Sequence, residues 1–393
     1  MLRTPGGESW NFTGVRSLRA RKGQGRMKAV VLAGGQEFGQ CPLSRQAPRA
    51  LWPLADRPII EHVLSALREA GIGEMAISAN GRTHDIMDSL GHHPSPDVTI
   101  HYNEDCLPRG AAGCIKDCEE WLGDETFIVV HGACLLLNVD FKHLIEEHRR
   151  SGAAMTVAAT SDEDELSRLS LSLKPTGIYI CESSILQHIK KRGYQDMKEQ
   201  LIPRLIENGL KVLAVPIRGR VIHIRNEECY LNAMVEILDD LELREQFMSA
   251  IPFKVPTVWV DPTAYIHPTA RIVGPAYIGP RAKVLADAVV IGPAIDGPEC
   301  EIERDGIVHE SILWRGAKVG QSAMVEQTVM AADAVVSGGV EVRGSIVVET
   351  NLSAAERQSL SGSMDLSPAD VGGPRRWWRR IWSSFRPAAR QAV

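Results

Sequence analysis

The order of apolar and polar positions divides the chain into two regions with different periods. From residue 28 to about 245, short apolar runs alternate with amphipathic stretches. The runs 28–32, 75–78, 98–102, 126–130, 154–159, 176–180 and 211–215 predict strands. Between them, 58–70, 83–90, 111–121, 140–151 and 195–208 predict helices, several with Pro, Ser or Asp near the start. A last helix over about 228–248 leads out of this region. Strands that alternate with helices predict an α/β sheet covered on both faces.

From 258 onward the period becomes six. Val260, Ile266, Ile272, Ile278, Val284 and Val290 recur at six-residue steps, and Ala264, Ala270, Ala276, Ala282, Ala288 and Ala294 keep the same step four positions later. A helix repeats every 3.6 residues and a half-buried strand every two. A strict six therefore predicts a triangular coil, each side one hexapeptide long, with the aliphatic residue inward and alanine where the chain turns. The register slips around Gly297–Arg304 and resumes at Leu313, Val319 and Val325, with Ala317 and Ala323. The stretch 296–311 is accordingly expected to be a loop thrown out of the coil. Stacked coils do not close on themselves, so a homo-oligomer formed through this region is expected.

A length of 393 residues suits two cores rather than one. No run approaches the ~20 apolar residues that span a bilayer. The basic N-terminus lacks the apolar centre of a secretory signal. Eight scattered cysteines without a C-x-x-C pair suggest free thiols in a reducing cytoplasm. The net charge of −5 conceals an asymmetry. Residues 1–26 carry six basic side chains against Glu8, and 375–393 carry six arginines and no acid. The body from 27 to 374 is left with 32 basic and 48 acidic residues, a net of −16. That charge argues against nucleic acid as a partner of the globular part. The expected organisation is a basic arm (1–26), an α/β domain (27–245), a β-helix (258–350), a linker (351–374) and a basic tail (375–393). Residues 1–26 read either as a disordered arm or as a start placed too early, with Met27 as the true one.

One motif is specific. Residues 29–59 read Ala-Val-Val-Leu-Ala-Gly-Gly-Gln-Glu-Phe-Gly-Gln-Cys-Pro-Leu-Ser-Arg-Gln-Ala-Pro-Arg-Ala-Leu-Trp-Pro-Leu-Ala-Asp-Arg-Pro-Ile. This resembles the sugar-1-phosphate nucleotidyltransferase signature L-A-G-G-x-G-T-R-L-x-P-L-T-x-x-x-P-K-x-L-x-P-V-x-x-x-P. Pro108-Arg-Gly-Ala-Ala-Gly-Cys-Ile-Lys116 is similar to the family's P-x-G-T-A-G-A-I/L-K. Phe127-Ile-Val-Val-His-Gly-Ala-Cys-Leu135 is similar to F-L-V-x-N-G-D. The resemblance covers roughly 27–350. It implies a Rossmann-like α/β nucleotidyltransferase domain followed by a left-handed parallel β-helix of hexapeptide repeats.

In that family a sugar phosphate attacks the α-phosphorus of a nucleoside triphosphate and pyrophosphate leaves. Positioning and cationic stabilisation carry such chemistry. The resemblance therefore assigns nucleotide contacts to Leu32, Ala33, Gly34, Gly35, Arg49, Gly110 and Gly113. It also shows what has been replaced. The Arg of G-T-R falls on Gly39, with Glu37 nearby. The Lys of P-K is Arg49. The two Mg²⁺-binding aspartates fall on Ala133 and His223, the latter in His223-Ile-Arg-Asn-Glu-Glu-Cys-Tyr230. The sugar-binding E-K-P segment has no counterpart between Ser161 and Pro175. Mg²⁺ prefers oxygen ligands, so His223 is a poor substitute and Ala133 is none.

The expected function is thus a catalytically degenerate relative that binds a nucleotide or NDP-sugar without a metal. It would act as a regulatory or scaffolding component of sugar-nucleotide or surface-polysaccharide biosynthesis. The alternative is an active divergent nucleotidyltransferase that uses Mg²⁺. His131 and His223 read either as filling the space of a hydrated ion or as part of a transition-metal site. In the tail, Trp378, Ile381, Trp382 and Phe385 share one helical face, with Trp377 beside it and Arg376, Arg379, Arg380 and Arg386 on the flanks. Such a segment suits a membrane surface or a membrane-bound glycosyltransferase, which would place the protein at the inner face of the membrane. The other reading is a solvated or self-docked tail.

Overall fold

In the computed structural model, the described residues run from 27 to 348, apart from 35–41, 56, 80–81, 93, 105–108, 162–172, 248–250 and 253–256. The apolar runs of the first region form one seven-stranded sheet. Its order is Val212–Pro216, Met155–Ser161, Leu173–Cys181, Phe127–His131, Lys28–Leu32, Glu74–Ala79 and Thr99–Glu104. Leu173–Cys181 is antiparallel to both neighbours and the other pairings are parallel. The central strands are apolar at successive positions because both faces are covered. Ala29 and Val31 enter one core with Ile128 and Val130, while Val30 and Leu32 enter the other with Phe127 and Val129.

The helices Ile59–Glu69, Thr83–Leu90 and Phe141–Ser151 lie close to their predicted bounds. Three others depart from them. The one expected at 111–121 divides into Gly110–Asp117 and Glu119–Leu122. The one at 195–208 opens with a π-helical turn, Met197–Leu201, before Ile202–Glu207. The last ends at Asp239, and the Asp240 carboxylate accepts from the N–H groups of Glu242 and Leu243 to start a new helix, Leu241–Phe247. A short polar residue that caps backbone N–H groups marks a helix start even inside an amphipathic run.

The second region is a parallel β-helix with three sheets. One holds Val258–Val260, Ala276–Ile278, Ala294–Asp296, Ile312–Leu313, Val329–Met330 and Ile346–Val347, with Ile251–Pro252 at its edge. The second runs from Tyr265–Ile266 to Val335–Val336, and the third from Arg271–Val273 to Glu341–Arg343. Ile278, Val284, Val290 and the alanines 276, 282, 288 and 294 are buried in the coil as the period requires. Ile266 and Ile272 are only half-buried, because the first coil is covered on one side.

The expected loop at 296–311 is absent. Glu301–Ile302 and Ile307–His309 are strands, and Ile302 and Val308 point inward. The step of six continues through 290, 296, 302 and 308, but the inward residue at 296 is Asp, which hides the pattern. The coil then shortens from eighteen residues, with Ala276 beside Ala294, to seventeen, with Ile312 beside Val329.

The outward residues of the first sheet, Trp259, Tyr277, Ile295, Ile312 and Val329, pack on the helix Glu227–Asp239 and on Trp52 and Leu54. At this junction the Trp314 indole N–H donates to the Tyr230 hydroxyl (3.0 Å), which donates to the Pro53 carbonyl (2.6 Å). Trp52 stacks edge-on against Tyr230 with centroids 5.3 Å apart.

Candidate functional site

In sheets of this type, ligands bind beyond the carboxyl ends of the parallel strands. Lys28–Leu32 and Phe127–His131 end side by side at such a place. A cleft of about 480 Å³ opens there, lined by Leu32, Ala33, Gly34, Arg49, Arg82, His131, Ala133, Pro175, Gly177, Lys198, His223, Ile224 and Arg225. Four cations and two histidines face it, and no carboxylate is among these residues.

The cations are held differently. Arg82 is committed to the scaffold: it pairs with Asp85 and donates to the carbonyls of Ser44 (2.8 Å) and Gln46 (3.0 Å). Arg49 donates to the Arg225 carbonyl, which ties the turn Arg49–Leu51 to the segment before the helix at 227. The ends of Lys198 and Arg225 make no hydrogen bond or ion pair with the described residues. Lys198 is placed by the Asp196 carboxylate, which accepts its backbone N–H at 2.7 Å.

His131 and His223 meet edge to face, with ring centroids 5.5 Å apart. They lie over Gly177, whose φ of +81° permits the bend and where a Cβ would come within 2.7 Å of the His131 ring. Burial pushes His131 down to about 4, aided by His223, Lys198 and Arg225 and opposed by Asp196. Burial also lowers His223, against the bond to Thr176. Both rings are therefore neutral at pH 7. His223 Nε2 lies 2.8 Å from the Thr176 carbonyl and donates to it. Only Nδ1 is left to accept.

These groups do not fit Mg²⁺. A hard cation needs several oxygen ligands, and Ala133 offers no side-chain donor while His223 has spent one nitrogen. No cluster of three or more His, Cys, Asp or Glu side chains suited to a metal occurs among the described residues.

Of the positions singled out from sequence, Leu32, Ala33, Gly34, Arg49, Ala133 and His223 come together in the cleft. The N–H groups of Ala33 and Gly34 donate to the Ser78 carbonyl, at 2.8 and 3.1 Å, so they are not free for phosphate. Gly110 and Gly113 are not among the lining residues. A Cβ on Gly110 would strike the Gln195 carbonyl, and one on Gly113 would strike Arg109, so their smallness serves packing. Gly35, Gly39 and the tail residues Trp377, Trp378, Ile381, Trp382, Phe385, Arg376, Arg379 and Arg380 lie outside the described residues. Sequence reasoning missed Arg82, Lys198 and Arg225. Arg225 had a signal, since it stands where the family's D-I-G-T has glycine. Lys198 and Arg82 reach the cleft only through the fold.

The cationic cleft thus lies at the strand ends of an α/β domain that is docked on a β-helix. Residues 28–168 match the nucleotidyl transferase family and residues 254–359 the GMPPB C-terminal domain. The chain is 25% identical over 295 residues to a UTP--glucose-1-phosphate uridylyltransferase of Synechocystis, covering 64% of this chain and 74% of the relative. It is 26% identical over 268 residues to a mannose-1-phosphate guanyltransferase of Debaryomyces hansenii, covering 61% and 73%. A glucose-1-phosphate thymidylyltransferase of Streptomyces antibioticus shares 25% over 279 residues, covering 64% and 78%. Among the described residues, no helix is long and apolar enough to cross a membrane.

Proposed function

We propose that the chain binds a nucleotide or NDP-sugar without a metal and does not transfer nucleotidyl groups. In this reading it is a regulatory or scaffolding component of sugar-nucleotide or surface-polysaccharide biosynthesis. One observation supports the reading: the cleft gathers Arg49, Lys198 and Arg225 with no carboxylate among its described lining residues, and by the sequence resemblance Ala133 and His223 replace the family's metal ligands. Cations with no ion pair among the described residues favour a polyphosphate, and charge-assisted bonds to it are strong. Without carboxylates to hold Mg²⁺, charge that develops on the α-phosphoryl group and pyrophosphate has no metal to meet it, a loss on the order of 10² to 10³ or more in rate.

The relatives' activities define the test panel: UTP, GTP and dTTP, each with glucose-1-phosphate or mannose-1-phosphate. Pyrophosphate release with Mg²⁺ should stay at background, and turnover of ~1 s⁻¹ or more would refute the reading. Equilibrium binding of nucleotides and NDP-sugars should be detectable and unchanged by EDTA. Arg49→Ala and Arg225→Ala should each weaken it about ten-fold or more, as expected for a lost bond to a charged group. Strong dependence on Mg²⁺ would mean that ligands other than these hold a metal.

The tail extends the proposal to a membrane surface or a membrane-bound glycosyltransferase. Its arginines add on the order of 1 kcal/mol each near an anionic surface, while the body at net −16 is repelled. Removal of 375–393 should therefore abolish co-sedimentation with anionic vesicles. Full-length protein that ignores such vesicles at low salt would leave only the protein partner.

A further inference from the structure

Hydrogen-bond chemistry divides the cleft in two. The side chains of Arg49, Arg82, Lys198 and Arg225 can only donate, which suits phosphate oxygens. Among the described lining residues, His131 and His223 have the only side chains that can accept a hydrogen bond. An ionised phosphate brings acceptors alone. It can satisfy the cations but not an imidazole nitrogen that itself accepts.

The geometry shows which nitrogens accept. The Thr176 carbonyl, 2.8 Å from His223 Nε2, takes the proton on that atom and leaves Nδ1 as an acceptor. Neither ring nitrogen of His131 has a hydrogen-bond partner among the described residues. Burial keeps both rings neutral, so His131 offers one N–H and one acceptor. Together the pair presents two acceptors and one donor. Gly177 leaves the space beside them open, since a Cβ there would come within 2.7 Å of the His131 ring. Lys198 and Arg225 act through their charge on both rings, so phosphates that these cations hold lie next to the imidazoles. The Asp196 carboxylate also acts on His131, but it already accepts from the N–H groups of Lys198 and Glu199.

The structure assigns His131 and His223 to the hydroxyls of a sugar whose anomeric carbon carries the phosphate, at the place where the family resemblance expects a metal ion. The assignment rests on the reading that the cleft binds a nucleotide or NDP-sugar, and it selects the NDP-sugar. A sugar hydroxyl both donates and accepts. In glucose and mannose one stands on the carbon beside the phosphorylated one, which matches acceptors that adjoin cations. The sequence has no E-K-P segment between Ser161 and Pro175 to hold the sugar instead.

Calorimetric titration of the full-length protein in EDTA tests this with UTP, UDP and UDP-glucose, with GTP, GDP and GDP-mannose, and with dTTP, dTDP and dTDP-glucose. Charge alone ranks the triphosphate first and the NDP-sugar last, because the sugar masks a phosphate charge. Hydroxyl contacts reverse that order: the NDP-sugar should bind about ten-fold more tightly than the NDP of the same base. His131→Phe keeps a flat ring without nitrogens. It should weaken the NDP-sugar about ten-fold and change the NDP by no more than about two-fold. His131→Gln supplies a donor and an acceptor again and should recover most of the preference. A triphosphate-first order in the wild type, or an equal loss of NDP and NDP-sugar in His131→Phe, overturns the assignment and leaves the reading of the cleft standing. Absence of binding by every compound overturns both.

Discussion

At pH 8, Asp296→Val should stabilise the β-helix by roughly 5–7 kcal/mol, of which about 4 kcal/mol should vanish at pH 4. Asp296 shares its inward register with Ile278 and Leu313 and is 1% exposed. Neither carboxylate oxygen has a hydrogen-bond partner among the described residues. Burial pushes the group up from 3.8 to about 7. The sign follows from which state holds the proton. Between about 4 and 7 the unfolded chain has released it and the folded chain keeps it, so stability falls as pH rises through this window and then levels off. Valine removes the dependence. At pH 4 only the unsatisfied neutral carboxyl remains, worth about 1–3 kcal/mol. Chemical denaturation of both proteins at several pH values measures the difference. Parallel curves from pH 4 to 8 would place the carboxylate in contact with water or a cation.

Asp296 also explains where the sequence misled. Periodicity is read from aliphatic residues, so one carboxylate in the inward row broke the pattern and suggested a loop where the coil continues. The one-residue shortening between Val308 and Leu313 compounded this, because a fixed period cannot follow a change in coil length. The α/β domain was easier to recognise, since its strands are buried on both faces and leave unbroken apolar runs such as Lys28–Leu32. The breaks at Cys118 and Asp240 were invisible because amphipathic spacing carries across them.

At the site, the motif located Arg49, Ala133 and His223, because each lies in a short segment that resembles a family signature. It gave no hint that the N–H groups of Ala33 and Gly34 are spent on Ser78. It also passed over Lys198, which a π-helical turn brings to the cleft from more than 160 positions beyond the glycine turn. A cationic lining is a property of the folded cleft, and its members are scattered along the chain.

Those members are tied to the β-helix, and Trp314→Ala should expose the link. The indole is 3% exposed, contacts Trp52 and Tyr230 with centroids 6.2 and 6.3 Å away, and donates to the Tyr230 hydroxyl. Its removal should cost about 3–5 kcal/mol, the usual range for a large buried aromatic. The position of the partners makes a second effect follow. Trp52 comes directly after the turn Arg49–Leu51, and Tyr230 lies on the helix that begins just after Arg225. The Arg49 guanidinium bonds to the Arg225 carbonyl between them. A cavity at Trp314 loosens both supports, so nucleotide affinity should fall along with stability although position 314 does not line the cleft. Trp314→Phe keeps most of the packing and loses one hydrogen bond, worth about 1 kcal/mol, and should leave binding nearly intact. Calorimetric titration of the two variants, at a temperature where both are folded, separates the cases. Equal affinity in Trp314→Ala and wild type would mean that the two domains are joined at this contact without being coupled through it.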